Sequence, residues 1–307
     1  MEKYKETELG LHVSNPVETL INIIPEKSLF QPIWNYLREN HQDTLRSPLL
    51  PVIISVSTYF ILCLFYTTLD CLCSVVPSIN RYRIHASQPV KLQNVLKALG
   101  LTFYNHVVFV FPASVAQWYW RPELPLEEVA PTVPEFTLGV LGCIILFDFQ
   151  YYLWHLVHHR SQWLYVNFHA IHHEYSRPFC WVTQYMSAWE LTSVGFWTTV
   201  DPVLLRCHTI TGYAFMVFNI WVSVDDHSGY DFPWSIHNLV PFGLWGGSVK
   251  HDTHHRRPTT NFEPFFSHWD WLCGTNSEYH HSPAMAAEKK KTPSTDTTKP
   301  IVKNGLD

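Results

Sequence analysis

The stretch that decides the fold is Leu49–Leu69, LLPVIISVSTYFILCLFYTTL, which contains 21 residues and no charged side chain. A helix needs about 20 apolar residues to cross the hydrocarbon core of a bilayer. We therefore predict a membrane-spanning helix over 49–69. The sequence before it has no apolar run long enough for a cleavable signal, so we expect this helix both to target and to anchor the protein.

Three further apolar regions follow. The second, about 98–120, carries no charge, and the third, 136–154, carries only Asp148. The fourth, 186–224, is predicted to be a helical hairpin that dips into or across the membrane, because Pro202 is expected to break the helix. The predicted fold class is all-α, a polytopic membrane helical bundle with a cytosolic cap of helices that carries the histidines.

The composition agrees with a membrane protein and excludes several other classes. Charged residues are 15% of the chain, against about 25% in an average soluble domain. Aromatic residues are also 15%, which excludes a disordered chain, and the net charge of −5 offers no basic surface for nucleic acid. We expect the membrane domain to span 29–283, between a loosely ordered segment at 1–28 and a disordered tail at 284–307 that is rich in Lys, Thr and Pro.

The charges of the loops predict the orientation. The loop between the first two predicted spans carries four Lys or Arg residues, whereas the next loop carries one Arg and four Glu. The positive-inside rule then assigns the first loop to the cytosol and the second to the lumen. The third span exits into the cytosol, and a hairpin begins and ends on one side. We therefore expect 155–185 and 225–285 to face the cytosol.

Three stretches with the pattern His-x-x-His-His lie in these cytosolic segments, at 155–159, 169–173 and 251–255. On a helix, positions i, i+3 and i+4 share one face. Imidazole suits Zn, Fe, Cu and Ni, but a structural zinc needs four ligands and a catalytic zinc three. Nine clustered histidines instead suit two six-coordinate ions, which favours two irons. With one more candidate where the hairpin returns to the cytosol, the predicted ligands are His155, His158, His159, His169, His172, His173, His227, His251, His254 and His255.

Acidic residues beside the boxes are the candidates for holding the rings. A metal-bound histidine usually donates its other ring N–H to a carboxylate or carbonyl. We expect Asp148, Glu174 or Asp252 to accept such a bond, and we favour Asp148 because it is intramembrane and about two helical turns before His155. The alternative for each of these three residues is an exposed surface acid that does not contact a histidine ring.

An iron pair at a membrane face has few uses. The H-E-x-x-H motif of metalloproteases does not occur. Two irons with positions left open for oxygen can remove hydrogen from an unactivated C–H bond, which leads to a hydroxyl group or an alkene. Because the chain contains neither a P-loop nor a G-x-G-x-x-G motif, the electrons must come from partner proteins on the cytosolic side. The substrate should be lipid-soluble and enter from the bilayer.

The three boxes and the segments around them resemble the fatty acid hydroxylase/sterol desaturase superfamily. The shared segments include 225–234, Asn261-Phe262, Trp269-Asp270 and Gly274-Thr275, and the resemblance covers about 29–276. It implies a monooxygenase of the endoplasmic reticulum membrane with a di-iron histidine site and no further catalytic residues. It also implies cholesterol as the substrate, hydroxylated on the tertiary carbon of its side chain, carbon 25.

The resemblance further implies molecular oxygen and NADPH-derived electrons, delivered by an NADPH-dependent reductase, a cytochrome b5-type donor, or both. The segment after the second box is expected to shape the sterol pocket through Gln184, Tyr185, Trp189 and Glu190. A sister activity remains open, namely a 4-methylsterol oxidase, a sterol desaturase or a fatty-acid hydroxylase. A metal transporter and a catalytically inactive sterol binder are the alternatives from other classes.

Overall fold

The computed structural model describes residues 28–120, 126–278 and 280–291. Within these ranges the chain is helical and forms no β-strand, which confirms the predicted all-α class. Nearly all of the predicted N-terminal segment and the tail from 292 onward lie outside the described residues. The described part begins with two short helices, α1 (Gln31–Asn40) and α2 (Gln42–Arg46). The first is anchored by Trp34, which is fully buried and donates a hydrogen bond to the carbonyl of Glu127 at 2.7 Å.

Three segments are long and apolar enough to cross a membrane, so the protein is a membrane protein. The first is α3 (Leu50–Leu72), which a short helix, α4 (Pro77–Asn80), follows. The second consists of α5 (Leu92–Asn105), a π-helical turn (His106–Val110) and α6 (Phe111–Trp120). The third is α7 (Val133–Arg160). The second segment begins six residues before the predicted residue 98, because 92–97 already form a helical turn and a half.

Helix α7 carries the first histidine box on its last two turns. The helix starts with a capping box, in which the Thr132 hydroxyl accepts from the backbone N–H of Glu135 and the Glu135 carboxylate accepts from the backbone N–H of Thr132. It then runs without a break to Arg160. A one-turn helix, α8 (Gln162–Leu164), leads into a π-helical turn (Tyr165–His169) that delivers the second box.

The predicted hairpin is formed by α9 (Ala188–Leu204) and α10 (Thr209–Asp226). Pro202 does not break the helix as we expected, since α9 continues to Leu204. The chain turns instead at Arg206, whose φ of 52° lies in the left-handed region, and the N–H of Cys207 bonds back to the Pro202 carbonyl at 2.8 Å. Pro202 has no N–H to donate to the carbonyl four residues earlier, and the helix ends two residues after it.

The two ends of the helical bundle have different neighbours. At one end, the turn between α9 and α10 lies against the loop before α7, where Thr209 donates its backbone N–H to the Glu127 carboxylate at 3.1 Å. At the other end, the loop after α3 packs against the histidine segments, and the N–H of Ile84 donates to the Gly229 carbonyl at 2.9 Å. The hairpin therefore extends from the histidine end to the start of α7.

The cap at the histidine end consists of short elements. Single 3₁₀ turns lie at His172–Glu174, Cys180–Gln184 and Pro241–Gly243. The helices of the cap are α11 (Ile236–Leu239), α12 (Gly247–Arg256), α13 (His268–Cys273) and α14 (Pro283–Lys291). The last of these corrects the predicted disordered tail from 284, because burial of Met285 keeps this segment helical on the cap.

Candidate metal centre

Nine of the ten predicted ligands form two groups that could each hold a metal ion. Within each group, one ring nitrogen per residue lies within 4.8 Å of the others. We call them the five-histidine group and the four-histidine group. The five-histidine group contains His155, His159, His169, His173 and His254. The four-histidine group contains His172, His227, His251 and His255.

The boxes are divided between the two groups by their spacing. On α7, His155 and His159 stand four residues apart on one face and both join the five-histidine group. On α12, His251 and His255 form such a pair in the four-histidine group, while His254 points to the other group. The second and third boxes thus serve both groups, and the two sites are built as one unit.

The five-histidine group is oriented by acceptors behind its rings. The Nδ1 atom of His155 donates to the Phe262 carbonyl at 2.9 Å, and that of His254 to the Thr260 carbonyl at 2.7 Å. The Nδ1 atom of His169 lies 2.9 Å from Oε1 of Glu190. A ring that donates from Nδ1 presents an unprotonated Nε2, which is the form that binds a metal.

Three rings of the four-histidine group are oriented by backbone carbonyls. His227 donates from Nδ1 to Ser223 of the preceding turn at 2.7 Å. His255 donates to Tyr175 at 3.1 Å and His172 donates to Tyr185 at 3.3 Å. The Nε2 atom of His255 is buried and has no hydrogen-bond partner among the described residues.

The distances between the nitrogen atoms test whether the residues fit a metal. In the five-histidine group, Nε2 of His169 lies 3.2 Å from Nε2 of His155 and 2.9 Å from Nε2 of His159. In the four-histidine group, Nε2 of His227 lies 3.2 Å from Nε2 of His172 and 3.0 Å from Nε2 of His251. Facing lone pairs repel unless a cation lies between them. Metal–imidazole bonds of about 2.0–2.1 Å put adjacent ligand atoms about 3 Å apart, so the residues fit metal ions.

Burial keeps these rings in the form that binds a metal. It lowers the pKa of His169 to about 3, helped by a neighbouring histidine. Burial likewise lowers the pKa of His254 to about 3, although its bond to the Thr260 carbonyl acts in the opposite direction. Desolvation disfavours the charged imidazolium, so both rings are neutral at pH 7 with a free nitrogen lone pair.

His158 belongs to neither group in the described part of the chain. Its ring stacks on Trp154 with centroids 3.7 Å apart, and its Nδ1 donates to the Trp154 carbonyl at 2.7 Å. Its Nε2 accepts from the indole N–H of Trp189 at 3.3 Å. The middle histidine of the box therefore points aside on α7, because it is one residue out of phase with the i, i+4 pair.

The acids that we expected to hold the rings bond elsewhere, which corrects those predictions. Asp148 accepts from the backbone N–H groups of Phe265 and Phe266 at 3.0 and 2.9 Å, and from the Trp269 indole at 3.0 Å. It therefore ties the segment after the third box to the middle of α7. Sequence distance to His155 did not reveal this use, because seven residues along a helix is nearly the same face but about 10 Å away.

Glu174 and Asp252 also serve other partners. Glu174 contacts the Lys97 ammonium group and accepts from the Tyr185 hydroxyl at 2.6 Å. Asp252 lies 2.7 Å from Nε2 of His85 and accepts from Arg256 at 2.9 Å. Both carboxylates thus fix the loops around the centre and not the rings within it.

The four residues predicted for the sterol pocket have mixed positions. Glu190 is fully buried and holds His169, so it has the role that we assigned to the other acids. Tyr185 holds His172 through its carbonyl, and Trp189 bonds to His158. Gln184 is buried with no partner for its Oε1 among the described residues. The carbonyl anchors were missed, because a backbone carbonyl has no signature in the sequence.

The family is shown by comparison with known proteins. The model of the fatty acid hydroxylase family matches residues 140–275. Cholesterol 25-hydroxylase-like protein 2 of Danio rerio is 58% identical to the chain over 281 residues, which are 92% of this chain and 98% of the relative. The chain belongs to the fatty acid hydroxylase family. As a member of the family it is an oxidoreductase, an oxygen-dependent sterol or lipid hydroxylase.

More distant relatives of this hydroxylase cover a similar part of the chain. Cholesterol 25-hydroxylase of Homo sapiens is 48% identical over 245 residues, which are 80% of this chain and 89% of the relative. The cholesterol 25-hydroxylase-like protein of Caenorhabditis elegans is 31% identical over 261 residues, 85% of this chain and 86% of the relative. No solved structure matches the hydroxylase.

Proposed function

We propose that this hydroxylase is a di-iron sterol monooxygenase that converts cholesterol into 25-hydroxycholesterol. The observation that carries the proposal is the convergence of nine imidazoles into two adjacent groups at one end of a membrane bundle. The substrate comes from the relatives, since the human protein at 48% identity is named cholesterol 25-hydroxylase. An iron pair suits the donor set, because imidazole binds iron and five plus four ligands leave positions open on six-coordinate ions.

In this proposal the two groups hold one iron each, and the irons supply an oxidant made from molecular oxygen and two electrons. The chain itself does the positioning. The carbonyls of Phe262 and Thr260 fix the rings of His155 and His254, and the carboxylate of Glu190 fixes that of His169. Burial of these rings keeps water away from the place where the substrate carbon reacts.

The electrons are proposed to come from NADPH through a reductase, a cytochrome b5-type donor, or both, at the cytosolic face of the endoplasmic reticulum. The packing of the first loop supports this orientation. The loop with four basic residues lies at the histidine end, where His85 contacts Asp252 and Ile84 bonds to Gly229. If positive loops are cytosolic, the histidines are cytosolic as well.

Sterol mass spectrometry in cells with little endogenous oxysterol tests the function. The wild-type chain is compared with a His172→Ala, His254→Ala double variant, which removes one ligand from each group. We expect 25-hydroxycholesterol from the wild type alone. A control variant, Thr199→Val on the outward face of α9, should give the wild-type amount of product.

An unchanged sterol profile from folded, iron-loaded wild type in the correct membrane would contradict cholesterol as the substrate. The search would then move to 4-methylsterols, other sterols and fatty acids, which are the substrates of the sister activities. The histidine groups are common to all of these reactions, since the placement of the substrate decides which C–H bond reacts. Bound iron without any oxidised lipid would contradict the hydroxylase itself.

The two remaining classes are distinguished by the same variants. A transporter places its metal site near the middle of the membrane on interrupted helices, whereas these histidines lie at the end of α7 and in the cap. An inactive sterol binder would bind sterol but form no product even as the wild type, so the variant would have no product to lose. Loss of bound iron and of product together, with sterol affinity retained, is the result that we expect of an enzyme.

A further inference from the structure

A buried carboxyl group lies deep in the hairpin, far from the histidines. Asp201 of α9 is 0% exposed, and among the residues that the structure describes neither of its oxygens has a hydrogen-bond partner. It stands on the side of α9 that packs against α7 and α10. A buried polar group without a partner is costly and rare, so its presence calls for a missing partner.

Other polar atoms without partners among the described residues lie on the helices that pack together around Asp201. The side chain of Gln150 on α7 lies beside it, and the Gln150 Oε1 atom is buried without a hydrogen bond in the described part of the protein. One turn earlier on α9, the indole Nε1 of Trp197 is in the same condition. So is Oδ1 of Asn219 on α10, whose Nδ2 donates to Thr198 at 2.8 Å. Unused donors and acceptors thus lie on all three helices in this part of the bundle.

The distance from Asp201 to the metal centre can be calculated along helix α9. Glu190, which holds His169, and Asp201 lie on the same face of α9. They are eleven residues apart, so the helix separates them by about 16 Å. This is close to the length of a sterol from its ring hydroxyl to the end of its side chain. Between them, Val194 and Trp197 are apolar and only partly buried.

The position of the histidines dictates how a sterol must lie. They are at one end of the spanning helices, so a sterol whose side chain reaches them has its hydroxyl deep in the bundle. No water is available there to bond that hydroxyl. A sterol-specific enzyme of this design therefore needs a polar partner at the far end of the substrate.

We propose that Asp201, with Gln150 and Asn219, binds the ring hydroxyl of the sterol substrate and sets the distance to the metal centre. The inference rests on the proposed function and adds to it a binding subsite. A carboxyl oxygen can accept a hydrogen bond from the hydroxyl group, and the Gln150 amide can donate one to the hydroxyl oxygen. Asp201 touches the substrate far from the reacting carbon and acts as a specificity residue.

A competition experiment in membranes that contain the full chain tests the subsite. The substrates are labelled cholesterol and cholest-5-ene, which lacks only the hydroxyl group, supplied together at limiting concentration. The ratio of the two hydroxylated products does not depend on how much enzyme accumulates. We expect the wild type to prefer cholesterol by about tenfold or more, because the unmatched hydrocarbon leaves the polar groups unpaired.

The variants separate recognition from stability. Asp201→Leu should bring the product ratio close to one, while Asp201→Asn, which keeps an acceptor, should retain most of the preference. Thr199→Val, two residues away on the exposed side of α9, is the matched control and should keep the wild-type ratio. If Asp201→Leu does not accumulate, Asn219→Leu replaces it and should also lower the ratio.

Each outcome decides between the two proposals. A wild type that hydroxylates both sterols equally overturns the subsite and leaves the proposed function intact. The subsite is likewise overturned if Asp201→Leu, or Asn219→Leu in its place, keeps the wild-type ratio, since another group must then recognise the hydroxyl. A wild type that hydroxylates neither sterol overturns the proposed function, and the subsite with it.

Discussion

The five-histidine group and the four-histidine group share two boxes but differ in their remaining members. The first group is completed by His155 and His159 on a membrane-spanning helix, and one of its rings is held by the carboxylate of Glu190. The second is completed by His227, which follows the hairpin, and three of its four rings are held by carbonyls. The difference indicates that each site is tied to the bundle by a different helix, the first by α7 and the second by the end of α10.

The largest expected loss of activity comes from removing a histidine whose helix contributes to one group only. His155→Ala should empty the five-histidine site, and His227→Ala should empty the four-histidine site. Each variant should retain about one metal ion per chain and lose activity by more than about 100-fold, beyond the cost of losing an outer hydrogen bond. Metal analysis of the purified protein measures this. Loss of both ions from either variant would show that the groups do not fill independently.

The second prediction concerns the Glu190 carboxylate, which holds a histidine ring where other rings are held by backbone carbonyls. Glu190→Gln leaves an acceptor for His169 but removes its negative charge, so we expect a loss of about 10–100-fold in metal affinity or activity. The matched control is Glu174→Gln, whose carboxylate bonds to Tyr185 and contacts Lys97. Titration with a chelator measures the affinity. Equal losses in both variants would contradict a specific role for Glu190.

Acid should destabilise the metal-free protein. The pKa of His169 and of His254 is about 3 in the folded chain, against about 6.5 when unfolded. Because the pKa of each ring is lower in the folded chain than in the unfolded chain, the free energy of unfolding has its full value above pH 6.5. It decreases as the pH falls below 6.5, since only the unfolded chain then binds the protons. Each ring should cost about 1.4 kcal/mol of unfolding free energy per pH unit between 6.5 and 3.

Thermal unfolding of the chelated protein at pH 7.5 and 5.5 checks this sign. The His169→Gln variant is the control and should show a smaller decrease between the two pH values. A protein that becomes more stable at pH 5.5 would contradict the buried, neutral state of these rings.

The smallest effect is expected at the histidine that stands outside both groups. His158→Gln should keep both metal ions and most of the activity, since the lost contacts are the hydrogen bond with Trp189 and the stacking on Trp154. We expect a change of no more than a few fold, about 1 kcal/mol for one hydrogen bond. An iron content at or below one ion per chain in this variant would show that His158 is a metal ligand.

Repeated motifs and residue spacing in the sequence predicted a spanning helix and most of the grouped histidines. The uncharged run at 49–69 predicted a spanning helix, and the three His-x-x-His-His boxes contain eight of the nine histidines in the two groups that could hold metal ions. Both signals are local, because helix length and helical phase depend only on neighbouring residues. They also carried the resemblance to the hydroxylase family.

Tertiary structure alone decided how the boxes divide and what holds the rings. His172 and His173 are adjacent in sequence but belong to different groups. Glu190, and not Asp148 as we expected, contacts the ring of a grouped histidine, because the start of α9 folds against the second box. These outcomes depend on side chains that meet across long stretches of sequence, and the spacing of residues along the chain does not contain that information.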